Sequence, residues 1–87
     1  MRVAVTTAPV AIATGPASVA IKNVTASAPV YLNTGSLTDS VDSSTGFEWD
    51  PADGPLSIDL WGDNVLYGVV ASAQPTQTLH VLQGILR

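Results

Sequence analysis

The stretch Pro55-Leu56-Ser57-Ile58-Asp59-Leu60-Trp61-Gly62-Asp63-Asn64-Val65-Leu66-Tyr67-Gly68-Val69-Val70 decides the fold class. Leu56, Ile58 and Leu60 alternate with Ser57 and Asp59. That period of two places the apolar side chains on one face of an extended strand and the polar ones on the other. Gly62-Asp63-Asn64 follows, and these residue types tolerate the positive φ of a tight turn. The segment therefore reads as a hairpin closing between Leu60 and Val65. Tyr67, Val69 and Ala71 then alternate with Gly68, Val70 and Ser72.

The same period extends outward in both directions. Val10 and Ile12 alternate with Ala11 and Ala13, and Val19 and Ile21 with Ala20 and Lys22. Val30 and Leu32 flank Tyr31, Phe47 and Trp49 flank Glu48, and Leu79 and Val81 alternate with His80 and Leu82. Turn chemistry separates the runs at Thr14-Gly15-Pro16, Ala26-Ser27-Ala28-Pro29, Asn33-Thr34-Gly35, Asp50-Pro51-Ala52-Asp53-Gly54-Pro55 and Ala73-Gln74-Pro75-Thr76. The polar stretch from Asp39 to Gly46 reads as a loop. With 7 Gly and 6 Pro spread along 87 residues, a helix of ordinary length would almost always contain a breaker. The expectation is an all-β chain: a small antiparallel β-sandwich or barrel of seven to eight short strands, jelly-roll-like. Residues 9–87 form a single β domain, and residues 1–8, set off by Pro9, form an N-terminal arm or an edge strand.

Composition narrows the function. The chain has no Cys, one His and three basic residues, Arg2, Lys22 and Arg87, with a formal net charge of −4. Without Cys there is no disulfide framework, thiolate metal site or Cys nucleophile. Three cations do not neutralise a row of phosphates, so no nucleic-acid partner is expected. No apolar run reaches the roughly 20 residues that span a bilayer, so no membrane partner is expected. The first residues do not read as a secretion signal, because Thr6, Thr7 and Pro9 interrupt the apolar stretch. Missing cysteines fit synthesis in a reducing cytoplasm, and the sequon Asn23-Val24-Thr25 is read as chance.

Catalytic constellations are sparse. His80 lies in an alternating strand and is expected to face solvent or a subunit contact. Asp50 and Asp53 beside Gly54 resemble a calcium loop, but the EF-hand spacing is not met and no bidentate Glu follows, so a structural turn is favoured. Glu48 and Asp50 are weighed as a glycosidase carboxylate pair and set aside for want of a sugar cleft. Trp49 and Trp61 are read two ways, as a sugar-stacking platform or as filling for a small core or subunit interface, with the second favoured. No catalytic residue, metal site or cofactor is expected, and the chain is read as a non-enzyme. Arg2, Val3, Val5, Trp49, Trp61 and Tyr67 are the candidate interface residues.

The run Val19-Ala20-Ile21-Lys22-Asn23-Val24, then Ala28-Pro29-Val30-Tyr31-Leu32, resembles the opening of small all-β virion proteins of tailed bacteriophages. Gly46-Phe47-Glu48-Trp49-Asp50-Pro51, Gly54-Pro55-Leu56-Ser57-Ile58-Asp59-Leu60, Asn64-Val65-Leu66-Tyr67-Gly68-Val69-Val70-Ala71-Ser72 and Leu79-His80-Val81-Leu82-Gln83-Gly84 continue it. The resemblance covers about residues 18 to 84 and rests on strand and turn patterns. It implies a non-enzymatic structural virion protein, foremost a capsid decoration (cement) protein on the outer capsid surface. The implied partners are the chain itself, as a homotrimer, and the major capsid protein, with Arg2 to Thr7 touching the capsid or a neighbouring subunit. A neck, tail or fibre component is an alternative, although no shaft repeat or heptad is present. A carbohydrate- or surface-binding β module is the other, suggested by the two Trp residues.

Overall fold

The computed structural model describes residues 1–35 and 46–85, with the side chains of residues 35 and 85 left out. Eight strands follow one another: β1 (Arg2–Val5), β2 (Val10–Thr14), β3 (Ala17–Asn23), β4 (Val30–Gly35), β5 (Phe47–Trp49), β6 (Leu56–Leu60), β7 (Val65–Val69) and β8 (Gln77–Ile85). A short 3-10 turn, Pro51–Asp53, joins β5 to β6. The polar stretch Asp39 to Gly46 falls outside the described residues except for Gly46.

The strands form two four-stranded antiparallel sheets. The first has the order β1-β8-β3-β6 and the second β2-β7-β4-β5. First pairs with last, second with seventh, third with sixth and fourth with fifth. That nesting is a single long antiparallel ribbon rolled on itself, with β8 also joined to β3 and β7 to β4. It is the jelly-roll order, a sandwich of two sheets and not a closed barrel.

This order overturns one expectation. Leu60 and Val65 do not face each other in a hairpin: β6 pairs with β3 in the first sheet, whereas β7 pairs with β2 and β4 in the second. The Gly62-Asp63-Asn64 turn exists, with Gly62 at φ +62° and the Asn64 N–H donating to the Trp61 carbonyl at 3.3 Å. It carries the chain between sheets instead of along one. The β2–β3 turn packs beside it, with the Gly15 N–H donating to the Asn64 carbonyl at 2.8 Å. A Cβ on Gly15 would lie 2.8 Å from the Leu60 carbonyl oxygen, so the close approach of two backbones requires glycine there.

The core lies between the sheets. Val5 of β1, Ala17, Val19 and Ile21 of β3, Leu60 of β6 and Leu79 and Val81 of β8 come from the first sheet. Ile12, Val30, Leu32, Trp49, Leu66 and Val70 meet them from the second sheet and its flank. Every one of these except Ala17 is a large side chain leaving water, and each contributes about 1.5–3 kcal/mol of burial before conformational entropy is charged against it. The alternation along β3, β6 and β8 is as expected. In β2 it breaks: the register with β7 shifts between Ala11 and Ala13, and both Ile12 and Ala13 are buried. This is a β-bulge at Ile12. Gly68 makes the space for it, because a Cβ at that position would sit 2.7 Å from the Ile12 Cδ1.

Residues 1–8 include an edge strand that belongs to the sandwich. Arg2 to Val5 pair with His80 to Gln77, and Met1 continues the ladder through two backbone bonds with Val81. Val5 is fully buried in the core.

Candidate functional site

Each candidate residue has a definite place. Val5 and Trp49 are core residues of the single chain, with Trp49 only 2% exposed and its indole Nε1 donating to the Gly54 carbonyl at 2.9 Å. Their side chains are therefore not available to a partner or to a sugar ring. Val3 is partly buried and packs against the same core. Tyr67 stands on the outer face of the second sheet, opposite Asn33 on β4 and Ala11 on β2. Trp61 is 60% exposed at the β6–β7 turn. Trp49 and Trp61 thus do not form one platform, since one ring is inside and the other outside. Arg2 is exposed on the outer face of the first sheet.

The turn residues that resembled chemistry are occupied structurally. Asp50 caps the 3-10 turn by accepting from the Ala52 N–H at 2.9 Å, and Asp53 accepts in return from the Asp50 N–H at 3.1 Å. This reciprocal capping satisfies backbone donors that would otherwise face water alone. Among the described residues no group of three or more His, Cys, Asp or Glu side chains is arranged to hold a metal ion. Glu48 accepts a hydrogen bond from the Tyr31 hydroxyl at 3.3 Å. Partial burial first, then the Glu48 charge and that bond, hold the Tyr31 phenol above its ordinary pKa of 10.0. Among the described residues no helix is long and apolar enough to cross a membrane.

One polar group is placed where the sequence reading had nothing. Gln77, at the start of β8, is fully buried. Its Oε1 accepts from Asn23 Nδ2 (3.1 Å) and from the Ser27 and Ala28 N–H groups (3.0 and 3.3 Å). Its Nε2 donates to Ser27 Oγ (2.9 Å) and to the Pro75 carbonyl (3.0 Å). Asn23 Oδ1 in turn accepts from the Ala26 N–H at 3.0 Å, which holds Ala26 at φ +55°. This plug ties the β3–β4 loop to the head of β8. It also accounts for the sequon: the Asn23 amide is used inside the fold, not offered to solvent.

The outer face of the first sheet is the surface with unexplained features. The register puts Arg2 opposite His80, and His80 opposite Lys22. The sole His and two of the three basic residues therefore form one row across β1, β8 and β3. Two residues along, the next row is Leu82, Ala20 and Ser57, and the next Gly84, Ser18 and Asp59. Leu82 is 74% exposed and rises from a bed of small side chains. Between the two upper rows lies a shallow depression of about 510 Å³, bounded by Arg2, Lys22, His80, Ala20, Leu82 and Pro55 among others. Residues 2, 22 and 80 carry no joint signal in sequence, and only the strand register brings them together.

Comparison with family models, with curated proteins and with solved structures gives no match to this chain, so the functional reading stands on this geometry and on the sequence pattern.

Proposed function

We propose that the chain is a non-enzymatic structural virion protein, a capsid decoration (cement) protein that assembles with itself as a homotrimer and binds the major capsid protein on the outer capsid surface. The observation that carries this reading is the outer face of the first sheet. It carries small residues, one prominent apolar side chain, a shallow depression and a basic row, features suited to contact with another protein. The jelly-roll order supports it as an architecture that recurs in viral capsid domains, though a fold by itself does not fix a role. The resemblance over residues 18 to 84 supports the assignment to tailed phages. The test is peptide mass spectrometry of purified particles, followed by addition of the protein to particles lacking it. Peptides at stoichiometric level and saturable rebinding are expected. Their absence from particles overturns the reading.

A second reading, a carbohydrate-binding module, is favoured by one observation, the exposed Trp61 ring at the β6–β7 turn. Lectin domains also use jelly rolls. It predicts glycan-array binding that Trp61→Ala abolishes, and an array without hits removes it.

A further inference from the structure

We propose that the Arg2–His80–Lys22 row on the outer face of the first sheet is an electrostatic docking surface for a second copy of this chain, and that the surface it receives is the acidic segment Glu48–Asp53. The inference rests on the reading of the chain as self-assembling and supplies the contact.

Charge carries the argument. The chain is acidic overall, with seven carboxylates against three Lys and Arg, so copies repel one another at most relative orientations. The exception is an orientation that sets the cationic row against carboxylates. Adjacent strands lie about 4.8 Å apart, so the three-strand row spans roughly 10 Å. None of its three members has an ion-pair partner among the described residues.

The acidic counterpart sets three carboxylates, Glu48, Asp50 and Asp53, against the row's two Lys and Arg cations, Arg2 and Lys22. Glu48 and Asp50 are two residues apart on extended backbone, so they project to the same side about 7 Å from each other. Asp53 is tied to Asp50 by the reciprocal cap. All three are exposed, and Glu48 lies on β5, an edge strand of the second sheet. The segment is thus a rigid ledge of three carboxylates. Leu82 stands beside the cationic row and supplies the apolar part of the contact. Row and ledge are different surfaces, so the contact is heterologous, and a closed ring of copies pairs every row with a ledge.

Light scattering on the full chain at micromolar concentration tests this, with Lys22→Glu, Arg2→Glu, Glu48→Lys and the double variant Lys22→Glu/Glu48→Lys. Far-ultraviolet circular dichroism checks that each outward-facing change leaves the β fold in place. The wild type is expected to be oligomeric. Each single reversal is expected to weaken association by at least about tenfold, because like charges then face each other across the contact. The double variant is expected to regain much of the loss, which simple destabilisation of the protomer would not produce. Raising NaCl from roughly 0.05 M to roughly 1 M, where the screening length falls to about 3 Å, is expected to shift the wild type toward monomer. A wild-type monomer at low salt overturns the inference. So does an oligomer whose mass ignores all three single reversals, or a double variant no better than its parents Lys22→Glu and Glu48→Lys. Capsid occupancy, measured separately, reports on the decoration reading: an undisturbed oligomer that never binds particles overturns that reading alone.

Discussion

Two of the inner strands of the sandwich, β7 and β8, treat their outer faces in opposite ways. In β7 of the second sheet, Leu66 and Gly68 point to the core, yet the outward Val65 and Val69 are buried as well. In β8 of the first sheet, Leu79 and Val81 are buried while the outward His80 and Leu82 are exposed. The difference follows from the neighbours. Val69 is opposite Tyr31 and two residues from Tyr67, so bulky side chains share its face. Leu82 is opposite Ala20, with Ser18, Gly84 and Ser57 around it. The second sheet covers its outward valines on β7, whereas the first leaves His80 and Leu82 on β8 open. Valines covered on the outer face contribute to the stability of the protomer, whereas a leucine standing among small residues contributes little until something covers it.

The largest effect expected is on the first sheet's edge. Removing residues 1–8 takes away β1, the fully buried Val5 and the backbone partners of β8. We expect a loss of more than about 4 kcal/mol, enough to unfold a chain of this size at ordinary temperature. A deletion that keeps the melting temperature while losing capsid occupancy would show instead that the segment acts as an arm. Next is Gln77→Leu, which takes the side-chain acceptor from the buried Ala28 N–H and the part-buried Ser27 N–H and leaves the Asn23 amide only its longer bond to the Ala28 carbonyl. About 2–3 kcal/mol of destabilisation is expected in urea titration, since one buried and one part-buried N–H lose their acceptor together.

The outer faces themselves are separated by a matched pair. Val69→Ala is expected to cost about 1–2 kcal/mol, because the methyl groups removed are buried despite pointing away from the core. Leu82→Ala is expected to change protomer stability by no more than about 0.5 kcal/mol, as for an exposed surface position. The melting curves should be taken at dilutions where the mass is monomeric. Equal costs for the two substitutions would break the contrast between the sheets.

Much of the first sheet is legible in sequence because its strands are half-buried and keep a strict period of two. Asn23 has the same parity as Val19 and Ile21, and Gln77 the same as Leu79 and Val81, so their inward direction was readable even though their partnership was not. The second sheet is less legible. The bulge at Ile12 puts two successive residues into the interior, and β7 is buried on both sides, which erases alternation. The crossing at Gly62-Asp63-Asn64 reads as a hairpin in sequence because the same residue types serve either connection, and only the partners of β6 and β7 distinguish them. The cationic row was hidden for a similar reason: three strands distant in sequence must pair in one register before residues 2, 22 and 80 align.

The smallest expected effect concerns the polar rim of the closed face. Tyr31 holds its proton more tightly than an ordinary tyrosine, chiefly through partial burial and secondly through Glu48. A raised pKa in the folded state means that the folded chain binds more proton than the unfolded one above pH 10.0. Stability from this group is therefore complete below that pH and is lost as pH rises through the folded value. The chain has two tyrosines, so Tyr67→Phe leaves Tyr31 as the sole source of phenolate absorbance. In that background the titration midpoint is expected above pH 10.0. Adding Glu48→Gln removes the charge but keeps an acceptor near the hydroxyl, so the midpoint should fall part of the way back. A midpoint that falls the whole way would mean that Glu48, not the packing of the closed face, sets the tyrosine's environment. The second sheet's outer surface would then be more open to water than its buried valines imply.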